Sequence, residues 1–402
     1  MTSSVNILIL GGGYAGLMAA LRLSGRTKKL STKITLINGS EQFVERPRLP
    51  EVAVGKKIEQ QSIQEMLRQT SVNFIQGWIK KIEPYQREVI LQNGAIFSFD
   101  YLVIALGSHV SKKAIPGIKQ FAFTPDPHGE RSARSLHQFL ASLKRQRRIV
   151  IIGGGATGIE MATEVKGAYP HQDVILLTNG EVGHFKGARI KHQIQAALQA
   201  QQIIFYEQCQ ITAISSEGVI FNNELFQADC VIWAGGFQCS TLAKEAGLRV
   251  NHQNQILVDP YLRSLSNNRI YAVGDAAFPV GDCGVPVRMA LLPALITGAT
   301  AAENIYRRLI EQEERPLSFE WYGQAITLGP NDAVGFNTYP KDQPVGPILR
   351  GRLALNTRNF FVSFLGKMLE YERRWTGSFY WTGRRRHLKA NKQVKVAHDR
   401  QV

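Results

Sequence analysis

The run Val5-Asn6-Ile7-Leu8-Ile9-Leu10-Gly11-Gly12-Gly13-Tyr14-Ala15-Gly16-Leu17-Met18-Ala19-Ala20-Leu21-Arg22-Leu23 decides the fold. Its first six residues form a nearly continuous apolar stretch, the pattern of a strand buried on both faces of a parallel sheet. Glycines at 11, 13 and 16 then give GxGxxG, and the Leu, Met and Ala run behind them reads as a helix. In such a strand, turn and helix, Gly11 allows the tight turn and Gly13 lets a pyrophosphate approach the backbone. Gly16 lets helix and strand pack closely, and the helix N-terminus offers unpaired N–H groups to the anion. One fingerprint alone carries little weight, so its context must support it.

The context repeats. Arg148-Ile149-Val150-Ile151-Ile152 is a second buried-strand pattern, closed by Gly153-Gly154-Gly155-Ala156-Thr157-Gly158 and continued by Ile159-Glu160-Met161-Ala162-Thr163-Glu164-Val165. Two complete units predict two dinucleotide sites. The chemistry that pairs two dinucleotides is hydride transfer between a nicotinamide and a flavin.

Composition sets the outer bounds. A chain of 402 residues, 44% hydrophobic and 20% charged, has room for two or three domains and is neither a mini-protein, a disordered chain nor a polytopic membrane protein. The net charge of +16 suggests an anionic partner: a nucleic acid, a phospholipid surface or a phosphorylated cofactor. Residues 350–402 hold 13 of the Lys and Arg residues against three acids, so most of the excess is C-terminal. No nucleic-acid module accompanies that charge, so nucleic acid is not the expected partner. The cysteines, Cys209, Cys230, Cys239 and Cys283, form no CxxC and no metal-ligand spacing with histidine, which fits a reducing compartment and no metal site. No apolar run reaches the roughly 18 residues of a membrane-spanning helix, and the N-terminus lacks a signal pattern. The expected location is cytoplasmic, with peripheral attachment to the inner face of the cell membrane as the variant.

A longer series carries a family resemblance. The first fingerprint is followed in chain order by Asp100-Tyr101-Leu102-Val103-Ile104-Ala105-Leu106-Gly107-Ser108, then by the second fingerprint with its Thr157-Gly158-Ile159-Glu160. Val231-Ile232-Trp233-Ala234-Gly235-Gly236 and Ile270-Tyr271-Ala272-Val273-Gly274-Asp275-Ala276-Ala277 complete it. The series resembles the two-dinucleotide-binding-domain flavoproteins of the pyridine nucleotide-disulfide oxidoreductase superfamily. Within them it most resembles type II NADH:quinone oxidoreductases and ferroptosis-suppressor-like reductases, over roughly Asn6 to Asn304.

The resemblance implies an α/β fold with two Rossmann-like domains: a discontinuous FAD domain (1–111 and 256–311), an NAD(P)H domain (112–255) and a C-terminal cap (312–402). It implies FAD contacts from Gly11, Gly13, Tyr14, Ala15, Gly16, Asn38, Arg48, Ala105, Gly107, Gly274 and Asp275. The Asp275 carboxylate would accept from the ribityl hydroxyls. NAD(P)H would be held by Gly153, Gly155, Thr157, Gly158 and Gly235, with Glu160 near nicotinamide and flavin as the catalytic residue. Read from the residues alone, Glu160 is equally an acid favoured by the helix dipole. Hydride would pass from NAD(P)H to the flavin and on to an acceptor, with most of the rate coming from alignment. His109 is a conceivable proton donor or a plain loop histidine.

The sequence departs from the family pattern in three places. Asn38 stands where an acid usually binds the adenosine ribose, with Glu41 nearby. Thr178 and Asn179 occupy the corresponding place in the NAD(P)H unit, so NADPH is not excluded; Lys186 and Arg189 are the nearest cations. The segment Met289-Ala290-Leu291-Leu292-Pro293-Ala294-Leu295-Ile296-Thr297-Gly298 has none of the glutamines that respiratory members carry there. It reads either as an apolar wall for a lipophilic acceptor or as plain core.

No close cysteine pair exists to take electrons from the flavin, so the acceptor should be diffusible. A quinone is the family's answer. A ferredoxin- or rubredoxin-type partner is the alternative, as is a flavin redox sensor with slow turnover. Near the C-terminus, Phe360, Phe364, Met368, Tyr371 and Trp375 fall on one helical face, with Phe379-Tyr380-Trp381 and Arg384-Arg385-Arg386 beyond. The face reads as an interfacial membrane anchor, or else as a core or homodimer helix. Beyond Lys389 the tail reads as disordered.

Overall fold

The computed structural model describes residues 4–111, 115–183, 187–281, 284–319, 323–339 and 343–380. The predicted strands form two separate parallel sheets. In the first, the order is Arg263–Ser264, Asn267–Ala272, Tyr101–Ile104, Val5–Leu10, Thr32–Asn38, Val72–Gln76, with only the Arg263–Ser264 edge antiparallel. In the second it is Ile204–Tyr206, Asp173–Leu177, Arg148–Ile152, Cys230–Trp233, Ala122–Phe123, with every pairing parallel. Each sheet has its fingerprint strand inside the order, covered on both faces, so Ile9, Leu10, Ile149 and Val150 are wholly buried.

The first sheet is assembled from distant parts of the chain. Asn267–Ala272 pairs in register with Tyr101–Ile104, so the strand before Gly274-Asp275 returns beside the one before Ala105-Leu106-Gly107. Both loops therefore open at the carboxyl edge of one sheet, where ligands of such folds sit. The fingerprint helices Tyr14–Arg26 and Ala156–Ala168 start at Gly13 and Gly155, and neither has a side-chain cap. Helix Leu291–Leu309 lies along Tyr14–Arg26 at very close range. A Cβ on Gly298 would stand 2.3 Å from the Ala15 carbonyl oxygen.

The C-terminal part bridges both units. Its three-stranded antiparallel sheet, Gln324–Thr327, Ala333–Tyr339 and Gln343–Arg350, lies against the second fingerprint helix, and Gln201, at the end of helix Ala188–Ala200, donates to the Leu328 carbonyl at 2.9 Å. The helix Gly351–Arg374 then crosses to the first fingerprint helix. Glu372, wholly buried, is held there by Arg22, whose Nε and Nη2 each donate to one of its carboxylate oxygens, and by the N–H groups of Gly377 at 2.8 Å and Phe379 at 3.0 Å.

The aromatic face of this helix differs from the sequence expectation in one member. Phe360, Phe364, Tyr371 and Trp375 are exposed, but Met368 is buried with Leu369 against the core. The reason is the helical period: Met368 lies four residues before Glu372 and turns inward with Ala354, Arg358 and Leu369. Phe379 is buried as well, while Tyr380 is exposed. Trp381, Arg384 to Arg386 and the tail after Lys389 lie outside the described residues, as do Lys186 and Cys283. Among the described residues no helix is long and apolar enough to cross a membrane.

Candidate functional site

A cavity of about 240 Å³ lies where the two fingerprints converge. From the first unit it is lined by Gly13, Tyr14, Ala15, Ala105, Gly107, Ser108, Gly274 and Asp275, and from the second by Thr157 and Glu160. The apolar segment splits: Met289, Ala290, Leu291 and Ala294 line the cavity, whereas Leu295, Ile296 and Thr297 are buried in the core. The segment is thus divided between cavity wall and core.

The glycines form cradles. Gly11 and Gly153 adopt φ of +106° and +131°, and Cβ atoms there would meet the Ala105 and Ala234 carbonyl oxygens at 2.2 and 2.7 Å. On Gly16 and Gly158 a Cβ would meet the carbonyl oxygens of Gly11 and Gly153 at 1.9 and 1.8 Å. Gly13 and Gly155, in contrast, face open space. Two uncapped helix N-termini with glycine at the approach side fit two pyrophosphates. Gly235 lies against the Trp233 ring and next to the Ala234 carbonyl that Gly153 approaches.

Asp275 is positioned for a polyol. Its Oδ2 accepts from the Ser108 hydroxyl at 2.7 Å, and the Gly274 N–H is tied to Thr297 at 2.9 Å. Burial raises the Asp275 carboxyl above the usual range, opposed by the Ser108 hydrogen bond and the Arg46 charge. The Tyr14 hydroxyl, buried at the cavity wall in edge contact with Phe43, has no hydrogen-bond partner among the described residues. A group bound in the cavity would supply one. The donors and acceptors present therefore fit a flavin dinucleotide.

Three sequence candidates lie off the cavity lining. Arg48 pairs with Glu51 at 3.1 Å and Glu45 at 3.7 Å beside the C-terminal helix, and it is Arg46 that lines the cavity. Asn38 is engaged within the protein: its Oδ1 accepts from the Gly12 N–H at 2.9 Å and its Nδ2 donates to the Ser40 carbonyl at 2.8 Å. His109 has its backbone paired with Gln238 and its side chain exposed, away from the cavity lining.

A family model described as pyridine nucleotide-disulphide oxidoreductase matches residues 5–302. The chain belongs to this family.

As a pyridine nucleotide-disulphide oxidoreductase it is an oxidoreductase of a family that works with FAD and NAD(P)H, as the two fingerprints led us to expect. It is 28% identical over 356 residues to the demethylphylloquinone reductase of Synechocystis, covering 82% of this chain and 85% of that one. To a type II NADH:quinone oxidoreductase of Staphylococcus aureus it is 26% identical over 360 residues, covering 82% and 89%. The solved sulfide:quinone oxidoreductase of Aquifex aeolicus shares the fold, with a TM-score of 0.76 and 20% identity over 93% of each chain.

The family name refers to a disulfide, but the three described cysteines are free. Of the described cysteines Cys239 reaches the cavity residue Asp275, donating to its carbonyl at 3.0 Å, and burial pushes its thiol up to about 12. A thiol held protonated is a poor electron relay.

Glu160 is the carboxyl that this oxidoreductase places between its two units. Its Oε1 accepts from the Thr327 N–H at 3.1 Å, so the C-terminal sheet orients it. Burial raises its proton affinity, partly countered by Arg358 and Thr327. Arg358, buried on the C-terminal helix, also holds Glu51 at 3.2 Å and the Pro47 carbonyl at 2.9 Å. Neither Thr327 nor Arg358 was legible from the fingerprints. Arg46-Pro47-Arg48-Leu49-Pro50, two cations flanking a proline with a second proline behind them, is the one sequence signal for this loop.

The raised proton affinity has a stability consequence. A carboxyl with a raised folded-state pKa stabilises the fold only while protonated, so that contribution is lost as pH rises through the raised value. Glu160→Gln should therefore be more stable than wild type at neutral pH, the gap closing toward acid. Thermal melts of both proteins from pH 4 to 8 check this, and an advantage over wild type no larger at pH 8 than at pH 4 contradicts it.

Proposed function

We propose that this chain is an FAD-dependent NAD(P)H dehydrogenase that reduces a lipophilic two-electron acceptor, a quinone. One observation supports the reading above all: residues of both fingerprints, Gly13 with Asp275 and Thr157 with Glu160, line a single cavity whose remaining wall, Arg46 and Ser108 aside, is mostly apolar. Bound FAD would supply a carrier that takes two electrons as hydride and returns them. The rest belongs to the chain's residues. Gly11, Gly13 and Gly16 admit one pyrophosphate, Gly153, Gly155 and Gly158 the other, and Asp275 with Ser108 binds hydroxyls. Ala105 and Gly107 shape the wall behind them. Glu160 presents a carboxyl of raised proton affinity to the cavity, oriented by Thr327, while Met289 and Leu291 exclude water beside it. The names of the relatives from Synechocystis and Staphylococcus aureus favour a quinone.

The working division is an FAD unit of 1–111 with 256–311, an NAD(P)H unit of 112–255 and a cap of 312–402. The exposed Phe360, Phe364, Tyr371 and Trp375 stripe is proposed as a peripheral membrane contact that would hold the enzyme at the lipid source of its acceptor. Wild-type protein should show flavin absorbance and oxidise NADH or NADPH faster with a short-chain quinone than with ferricyanide or O₂. A colourless protein that takes up no added FAD, or one that reduces iron–sulfur proteins and ignores quinones, ends the reading. Replacing Phe360, Phe364 and Trp375 together by Ser should cut pelleting with anionic liposomes by at least about tenfold while soluble-quinone turnover stays intact. Unchanged pelleting sinks the membrane contact.

A further inference from the structure

We infer that the indole of Trp78 is the stacking platform for the adenine of FAD, compensating for the carboxylate that this chain lacks at position 38. The inference rests on the FAD reading above. Its observations lie along the carboxyl edge of the first sheet, where neighbouring strands Val5–Leu10, Thr32–Asn38 and Val72–Gln76 end side by side. Behind the first is the glycine cradle, behind the second Asn38-Gly39, and behind the third Gly77-Trp78. Strands about 5 Å apart set these three turns in one line, leading away from the pyrophosphate cradle.

The middle position is weakened. Asn38 spends its Oδ1 on the Gly12 N–H and its Nδ2 on the Ser40 carbonyl, so it staples the fingerprint turn. A carboxylate would offer two oxygens and keep one for a ribose hydroxyl. The next position carries an aromatic ring that the fold leaves open. Trp78 is 57% exposed, two residues past the edge strand of this sheet. Its ring lies flat on Gly39: a Cβ there would stand 2.7, 2.8 and 2.9 Å from Cε2, Cδ2 and Cε3. Its backbone is pinned, because Gln92 donates to the Trp78 carbonyl at 2.8 Å and Gly77 donates to the Asn38 carbonyl at 2.9 Å. One face is thus covered by a glycine and the opposite face is available, held rigid, at the end of the dinucleotide's path. A purine stacks on such a face without needing further polar partners.

The test measures affinity, not turnover. Deflavinated protein is titrated with FAD and with FMN, which lacks the adenosine. Trp78→Ala should weaken FAD roughly 5- to 150-fold, the equivalent of about 1–3 kcal/mol for one stacked base. FMN affinity should stay within about twofold, showing that the pyrophosphate-side cradle remains folded, and Trp78→Phe should recover most of the loss. Gly39→Ala, which displaces the ring, should weaken FAD in the same selective way. FAD affinity unchanged in Trp78→Ala overturns the assignment, as does an equal loss for FMN. Wild-type protein that binds neither flavin overturns the FAD reading itself, and the stacking inference with it.

Discussion

Gly158→Val should leave the protein yellow yet nearly inert to NAD(P)H. The added Cβ would stand 1.8 Å from the Gly153 carbonyl oxygen, a backbone atom that has no rotamer to escape into. Helix Ala156–Ala168 must then shift off the turn that follows strand Arg148–Ile152, carrying with it the uncapped N–H groups and Glu160. A misplacement of about 1 Å in a site that works by alignment costs on the order of a hundredfold. The first sheet and its cradle share no backbone with that turn, so flavin content should be unaffected. Rapid mixing with NADH should therefore show flavin reduction slowed by about a hundredfold or more. The dithionite-reduced variant should still be reoxidised by quinone at the wild-type rate. Reduction by NADH within about threefold of wild type would mean that the second fingerprint is not the nicotinamide site.

This separation of half-reactions follows from what the sequence made legible. Both glycine turns are strictly local devices: a positive φ at Gly11 or Gly153 and a near-contact at Gly16 or Gly158 are requirements that only glycine meets, so residue type reports geometry directly. Continuous apolar runs such as Ile149 to Ile152 report parallel-strand burial for the same reason. Other residues at the site are there through long-range packing, which has no local code. Thr327 reaches Glu160 across 167 positions, and Arg358 reaches Glu51 across 307. Met368 shows the limit of periodicity, since a helix with one buried edge and one exposed edge offers two apolar stripes and the pattern alone merges them. Arg48 and Arg46 show it again: both flank Pro47, and only the turn decides which of them faces the cavity.

The same long-range packing makes Glu372 the most sensitive point outside the cavity. Its carboxylate lies fully buried between the first fingerprint helix and the C-terminal helix, and four hydrogen bonds satisfy it: two from Arg22, one from Gly377 and one from Phe379. Arg22 also donates to the Phe379 carbonyl at 2.6 Å. A buried ion pair of this kind adds little over an apolar pair of equal shape, but removing one member strands the other, at about 3–5 kcal/mol. Glu372→Ala leaves two backbone N–H groups without an acceptor and the guanidinium with only the Phe379 carbonyl and Glu303 at 4.0 Å, and the cheapest escape is for the C-terminal helix to open. Amide exchange across Gly351–Arg374 should accelerate by roughly a hundred- to a thousandfold, while the parallel sheets keep their protection. Because the Phe360, Phe364 and Trp375 stripe is carried on that helix, liposome pelleting should weaken together with the exchange protection. Arg22→Met combined with Glu372→Leu removes both charges at once and should restore much of the protection that Glu372→Ala loses. Equal exchange in wild type and Glu372→Ala would show that the apolar contacts of Ala354, Met368 and Leu369 hold the helix by themselves, leaving the buried pair without a role in docking it.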